Sequence, residues 1–496
     1  MSLPFTLENP ALFNNLAYCH GEWIEEGSGK RFDVEDPGSG KVFTSCPDLG
    51  AQDVDKVVRS SHQAFEEYRL LNPRTRAQLL LKWHQLICDN RHDIAAILTY
   101  ETGKPLAEAY GELDYATGFT WWFAGEAERV RGDISTPAAP GRRVLVIKQP
   151  IGVCAALVPW NFPIAMILRK VGAALAAGCT MIAKPSPETP LTTLTLAYLA
   201  DKAGFPKGVF NVMTTSNENT PSVSEAICKH PLVQKVSFTG STRVGSIIAG
   251  HCAVGLKKVT FELGGNCPFI VFDDANQDHA LAQLTSLKWR HAGQACVTAN
   301  RVYVQEGVYE EFIQKLVDHA KSIQVGHGSK ASVTMGPLTT PRGVDKAKHQ
   351  VEDAVQHGAK IAYQGSTPSD GELKNGYFFG PTILRDMNSS MLVTHEESFA
   401  PIAAIYKFKT EADAVKMAND TDMGLASYFF TKDVNRSWRM MERLEAGMIG
   451  LNTGNSSAAE TPFGGMKMSG YGKESGKDVA IAEYLVSKTV TMTVEN

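Results

Sequence analysis

The nine cysteines of this 496-residue chain include no C-x-x-C pair and no regularly spaced set. They stand scattered at Cys19, Cys46, Cys88, Cys154, Cys179, Cys228, Cys252, Cys267 and Cys296. This pattern excludes a disulfide framework, gives no expectation of a metal site, and fits thiols kept reduced in a cytoplasm. Charge of one sign is lacking too: 49 basic and 53 acidic residues leave a net charge of -4, with no basic block. Nucleic acid is therefore not an expected partner, because phosphate neutralisation needs clustered cations. No apolar run is long enough to cross a bilayer, so a membrane is not expected as a partner. The start, Met1 to Glu8, has neither a basic leader nor a long apolar stretch, and Val494-Glu495-Asn496 matches no terminal address. What is present is an ordinary globular composition, 43% hydrophobic and 21% charged. The length predicts roughly two to four domains with large cores.

The pattern along the chain predicts an α/β fold. From about 54 to 130 the apolar spacing is helical. From 152 to 262 it alternates between strands and helices. Gly152 to Val158 reads as a buried strand, and Pro163 opens a helix that stops at Gly178, following the asymmetry of helix ends. Strands at Thr180–Ala183, Val209–Val212, Val236–Phe238 and Lys258–Phe261 alternate with helices at Thr192–Ala203 and Thr242–Cys252. Such alternation implies a mostly parallel sheet covered on both faces, with ligands beyond the carboxyl ends of the strands. Gly240, Ser241 and Gly245 bracket a helix start suited to a pyrophosphate, although no Gly-x-Gly-x-x-Gly is present. A second alternation runs from 268 to about 465. Two β-rich pieces remain, Arg142 to Lys148 and Tyr484 to Val494, of a kind that pairs with itself or across a subunit boundary.

Cys296 closes the run Arg290-His291-Ala292-Gly293-Gln294-Ala295-Cys296, and Glu262 sits between a strand and Gly264-Gly265. A thiol and a carboxylate at the ends of neighbouring elements can serve as nucleophile and general base. Alone, a cysteine is more often a small buried hydrophobe.

Seven landmarks in register change that balance: Pro159-Trp160-Asn161-Phe162-Pro163, Lys184-Pro185-Ser186, Phe238-Thr239-Gly240-Ser241-Thr242, Phe261-Glu262-Leu263-Gly264-Gly265, Gly293-Gln294-Ala295-Cys296, Glu396-Glu397-Ser398-Phe399 and Pro462-Phe463-Gly464-Gly465. In this order they resemble the NAD(P)-dependent aldehyde dehydrogenase superfamily, over about residues 20 to 490. The resemblance implies a Rossmann-type cofactor domain (1–125 and 148–262), a second α/β catalytic domain (263–470) and a small β oligomerisation element (126–147 and 471–496). It implies that Cys296, as thiolate, attacks an aldehyde, that Asn161 and the Cys296 N–H hold the oxyanion, and that Glu262 activates water to hydrolyse the thioester. Lys170 and Glu474 match a proton relay. Cofactor contacts fall to Pro159, Trp160, Lys184, Ser186, Gly240, Ser241, Leu263, Glu397 and Phe399, with Lys184 and Glu397 on the two riboses.

Within the superfamily the chain most resembles succinate-semialdehyde dehydrogenases, through Arg169, Arg290 and Ser457, which would clamp the far carboxylate of the substrate. A homodimer or homotetramer is implied. Several positions depart from the usual pattern: Thr298 replaces a second cysteine, Trp289 a phenylalanine, and Ala400 and Thr215 two glycines, while Glu460 adds an acid to the anchor loop. Pro187 stands where relatives that prefer NAD carry a glutamate, with Glu188 one step later, which favours NADP with NAD also used. Alternatives are a sibling enzyme for a different aldehyde, a coenzyme A-acylating relative, against which Glu262 argues, and a catalytically silent structural protein.

Overall fold

In the segment expected to be helical, buried residues recur at three- and four-residue spacing: Val54, Val57, Val58, Ser61, Ala64, Phe65 and Tyr68 line one face of the helix Val54–Tyr68. That spacing puts one apolar stripe against a core. Three more helices follow, Pro73–Asp89, Arg91–Thr102 and Leu106–Ala127. The structure, a computed structural model, describes residues 3–25 and 29–495. Met1, Ser2 and Asn496, which open and close the expected domain ranges, lie outside the described residues.

The helices cover a seven-stranded sheet whose order is Lys258–Glu262, Val233–Thr239, Val153–Leu157, Thr180–Lys184, Phe210–Val212, Ala17–Cys19, Glu22–Ile24. The first five strands pair in parallel and the last two are antiparallel additions. Val153–Leu157 and Thr180–Lys184 are buried at every position, as a sheet covered on both faces requires. Pro163–Ala177 ends where expected, at Gly178, whose φ of +93° suits a residue without Cβ. The strand order reverses between Val153–Leu157 and Val233–Thr239, the switch point at which doubly wound sheets bind ligands. Pro159-Trp160-Asn161 and Gly240-Ser241 follow the ends of those two strands.

A second sheet has the order Lys360–Gln364, Thr382–Arg385, Ile402–Phe408, Ala299–Gln305, Cys267–Val271, Ala426–Phe430, Met448–Leu451, parallel except at the first strand. Glu262 ends an edge strand of the first sheet, whereas Cys296 precedes a strand of the second. The two β-rich pieces pair with each other: Leu485–Thr493 runs antiparallel to Arg142–Pro150, from Leu485 opposite Pro150 to Thr493 opposite Arg142. Asp133–Ser135 completes this three-stranded sheet. The hairpin of Arg31–Asp36 with Lys41–Pro47 is an element that the alternation did not announce.

Candidate active site

Cys296 is delivered by an unusual turn. The helix Gln277–Lys288 gives way to a short turn in which His291, Ala292 and Gly293 all take left-handed φ values of 48°, 50° and 74°. Two such non-glycine residues in succession store strain, which persists only where surroundings impose it. Here Glu108 Oε2 accepts the His291 N–H at 2.8 Å. Two close approaches fix the rest: a Cβ on Gly293 would lie 2.2 Å from Ala400 O, and one on Gly265 would lie 2.2 Å from Cys296 O. The Cys296 N–H donates to no acceptor among the described residues, so it is free for an oxyanion.

The thiol is half-buried in the wall of a cavity of about 800 Å³, together with Arg169, Arg290, Ser457, Tyr115 and Trp289. The structure thus brings the proposed nucleophile and all three proposed anchor residues to one space. Burial pushes the Cys296 thiol well up, with Glu262 and Glu397 adding to the effect. This direction disfavours the thiolate, so the attack that the resemblance implies needs a group to accept the thiol proton.

Glu262 and Asn161 lie behind the wall. Glu262 is buried, and burial pushes its carboxyl up to about 7 against the pull of Arg169. Its Oε2 accepts from Arg169 Nη2 and from Thr239 Oγ1, both at 3.1 Å, while Oε1 has no hydrogen-bond partner among the described residues. A half-neutral carboxyl with an open oxygen suits general-base work. Arg169 is fully buried beside Phe463, at 4.1 Å from guanidinium to ring centroid, and its Nη1 and Nε have no hydrogen-bond partner among the described residues. Next to it Glu474 pairs with the buried Lys170, and Ser237 Oγ donates to the same carboxylate. Burial opposes the ionisation of Glu474, but Lys170 and Arg169 outweigh it and keep the carboxyl below its ordinary value. The expected relay pair is thus a buried ion pair joined to Glu262 through Arg169.

Asn161 Nδ2 donates to Gln294 O at 3.0 Å, which ties its amide to the Cys296 loop. On the anchor side, the Arg290 guanidinium lies 5.3 Å from the Phe162 ring centroid and forms no ion pair among the described residues. Ser457 Oγ shares a hydrogen bond with Tyr115 OH. Glu460 is exposed and forms no part of the cavity wall, whose carboxylates are Glu108 and Glu112. Thr298 is buried, with its hydroxyl on Leu287 O at 3.2 Å. Residues that sequence reasoning missed are Lys104, Glu108, Glu112, Tyr115 and His291. Glu108, Glu112 and Tyr115 lie on the largely apolar helix Leu106–Ala127, with Lys104 just before it and His291 in the Cys296 turn, and only the i, i+4 spacing of the two glutamates hinted at a shared direction.

Of the residues expected to hold a dinucleotide, Pro159, Trp160, Gly240 and Ser241 follow the switch-point strands, whereas Glu397 and Phe399 come from the loop before Ile402–Phe408 of the second sheet. Ser241 caps the twelve-residue helix Thr242–Ala253 and accepts from Val244 N. A Cβ on Gly245 would lie 2.5 Å from the Leu263 side chain, so the helix start sits close under this residue. Lys184 is buried with Nζ 3.0 Å from Thr220 Oγ1, and burial pushes its amine down to about 8. Glu397 is pushed up to about 7 by burial and accepts from Gly265 N at 3.2 Å. Phe399 has a left-handed φ of 52°, and its ring stands edge-on to Trp160 at 5.5 Å. Ser186 Oγ donates to Glu188, whose other oxygen accepts from Asn217 Nδ2 at 3.1 Å. A capped helix start, an ammonium and a buried carboxylate are groups of the kind that a dinucleotide uses.

A thiol and a carboxylate drawn from two facing parallel sheets mark an α/β enzyme with a covalent nucleophile. The chain belongs to the aldehyde dehydrogenase family, whose profile matches residues 23–490. It is 45% identical over 482 residues to glutarate-semialdehyde dehydrogenase of Pseudomonas aeruginosa, covering 97% of this chain and 98% of that one. It is also 45% identical over 482 residues to the NADP(+) succinate-semialdehyde dehydrogenase of Escherichia coli, with the same coverage. The solved succinate-semialdehyde dehydrogenase of Burkholderia pseudomallei superposes with a TM-score of 0.96 at 42% identity, over 99% of this chain and 100% of that one.

Proposed function

We propose that this enzyme oxidises a semialdehyde with a terminal carboxylate, of the succinate or glutarate semialdehyde type, to the diacid, with NADP favoured and NAD also used. The observation that carries the reading is the shared cavity of Cys296, Arg169, Arg290 and Ser457. Arg169 has unused N–H groups and Arg290 has no carboxylate partner among the described residues, so both are ready for a bidentate anion. The NADP preference rests on Pro187 and on the likeness to a relative named for NADP(+).

In this reading Glu262 takes the proton of Cys296 through its open Oε1 as sulfur bonds to the aldehyde carbon. The oxyanion is met by the Asn161 amide and the Cys296 N–H, a pair of donors worth a few kcal/mol in the transition state. A dinucleotide held by Lys184, Glu397 and the helix start at Gly240-Ser241 would supply the hydride acceptor that the oxidation to a thioester needs. Once it has given up the Cys296 proton, Glu262 takes one from the water that attacks the thioester carbon, and returns it to the sulfur as the carbon–sulfur bond breaks. The proton first taken from Cys296 leaves Glu262 between these two half-reactions toward the Lys170–Glu474 pair, while Arg169, always charged, holds the two carboxylates close.

The two sheets with their helices form the cofactor and catalytic domains, and the three-stranded sheet is the oligomerisation element. Its outer strand Leu485–Thr493 is exposed over most of its length and has one unpaired edge, a surface suited to a second copy in a homodimer or homotetramer. Scattered free thiols suit a cytoplasmic setting. A specific observation favours a second substrate reading. Trp289 Nε1 and both ring nitrogens of His291 are buried in the cavity wall without hydrogen-bond partners among the described residues, which would suit an aldehyde with an additional polar substituent.

The test is reduced-cofactor absorbance with an aldehyde panel: succinate and glutarate semialdehydes, their apolar analogues without the carboxylate, and hydroxylated analogues. Higher kcat/KM for the carboxylate series supports the clamp. Equal turnover of the apolar series rejects it while keeping the chemistry.

A further inference from the structure

The helix Leu106–Ala127 carries Glu108 and Glu112 one turn apart, and each carboxylate reaches a different side of the reaction centre. Glu112 Oε1 accepts the N–H groups of Ile164 at 2.9 Å and Ala165 at 3.3 Å, which open the helix Pro163–Ala177 directly after Asn161. Its Oε2 pairs with Lys104, and Lys104 Nζ donates onward to Asn161 O at 2.9 Å. The same ammonium lies 4.4 Å from the Phe162 ring centroid. On the other side Glu108 Oε2 holds the His291 N–H, the first residue of the strained turn that delivers Cys296.

Both side chains of the Lys104–Glu112 pair are buried, at 1% and 0% exposure. Desolvating two charges costs about as much as their attraction returns, so a buried pair is weak evidence of a stabilising role. In this case the bonds that leave the pair all end on the backbone of Asn161, Ile164 and Ala165, whereas Glu108 holds the other loop. Lys104 touches the cavity wall, yet its ammonium is already committed to Glu112, Asn161 and the ring, which leaves it little capacity for substrate.

We propose that Lys104, Glu108 and Glu112 are positioning residues that clamp the two halves of the oxyanion site, Asn161 through Lys104 and Glu112, and the Cys296 loop through Glu108. The proposal rests on the reading of Asn161 and Cys296 given above. The bond from Asn161 Nδ2 to Gln294 O already joins the two loops. Lys104, Glu108 and Glu112 all line the cavity and fix each loop from its wall, so the amide and the free N–H keep one spacing while bonds form and break at sulfur.

The test is a double-mutant cycle on the full-length enzyme with succinate semialdehyde and saturating cofactor. Asn161→Ala is expected to lower kcat about 10²- to 10³-fold. Lys104→Met is expected to lower kcat about 10- to 100-fold with little change in either KM. In the Asn161→Ala background Lys104→Met should cost little more, because the group it positions is gone. Equal losses in both backgrounds would overturn the clamp. An unchanged kcat for Asn161→Ala alone would overturn the underlying site reading, a separate failure. Should Lys104→Met fail to fold, the near-isosteric Glu112→Gln and Glu108→Gln carry the test. Lowered kcat with unchanged melting temperature supports the clamp, and wild-type kcat in both rejects it.

Discussion

Arg169 donates from Nη2 to Glu262 Oε2 at 3.1 Å, so the most deeply buried guanidinium in the cavity wall and the proposed base are one ion pair. The remaining N–H groups on Nη1 and Nε have no acceptor among the described residues. One residue thereby tunes the base and offers donors to a substrate anion.

Arg169→Met should accordingly damage two steps at once. The KM for a carboxylate-bearing aldehyde should rise, and the pH dependence of kcat should move, because Arg169 holds the Glu262 carboxyl below where burial alone would place it. The expected sign is an acidic limb displaced above about 7. Steady-state kinetics from pH 5.5 to 9.5 check it, and an unmoved limb with raised KM would reduce Arg169 to an anchor alone.

In the proposed mechanism the base form of Glu262 is required, and burial pushes its carboxyl up to about 7. Turnover should fall as pH drops through that value and level off above it. Glu262→Gln should remove the limb and lower kcat by about 10²- to 10⁴-fold, the usual worth of a general base. A limb that survives in Glu262→Gln would belong to another group, for example Glu397, which burial also pushes up to about 7.

Arg290 is exposed at the cavity mouth, stacked against Phe162, and makes no ion pair among the described residues. Arg290→Ala should raise KM for succinate semialdehyde about tenfold to hundredfold, equivalent to about 1.4–2.8 kcal/mol, and leave apolar aldehydes unaffected. Equal effects on both series would mean that the arginine shapes the cavity rather than binding the acid.

Much of this architecture is legible in the chain because burial on both faces writes continuous apolar strands, as at Val153–Leu157, and proline and glycine mark the ends of Pro163–Ala177. Cys296, Glu262 and the arginines stand in short linear motifs, so they can be read without knowing the fold. Glu108, Glu112 and Lys104 cannot, since their partners Asn161 and His291 lie about 50 to 180 residues away and only folding supplies the contact. The pairing of Glu262 with Arg169 was hidden for the same reason. The resting charge of Cys296 depends on burial, which a linear pattern does not encode.

Glu188 is the feature near Lys184 that works against the proposed NADP preference, which rests on Pro187. Its carboxylate, one step beyond the usual position, is held by Ser186 and Asn217 and lies near enough to Lys184 to oppose the lowering of that amine. A fixed negative charge beside a ribose opposes a 2′-phosphate. Glu188→Gln should therefore raise kcat/KM for NADP by about tenfold relative to NAD, roughly 1.4 kcal/mol. An unchanged ratio of the two cofactors would place the 2′ position elsewhere along the crevice.

Gly265 tests whether the Cys296 loop tolerates displacement. A Cβ there would lie 2.2 Å from Cys296 O and 3.2 Å from Cys267 Sγ, and backbone oxygen cannot swing aside as a flexible side chain can. Gly265→Ala must shift the nucleophile loop or the Gly264-Gly265 turn, and a misplacement of about 1 Å costs on the order of 100-fold in rate. Gly250, exposed in Thr242–Ala253 with nothing within 4 Å of its imagined Cβ, is the matched control. There the same substitution should stabilise the helix by ~0.5–1 kcal/mol and leave turnover alone. Comparing kcat, the rate of Cys296 alkylation and melting temperature for the two variants separates placement from folding. If Gly265→Ala turned over and alkylated like the unmodified enzyme, the close packing of Gly265 on Cys296 would not be what positions the sulfur.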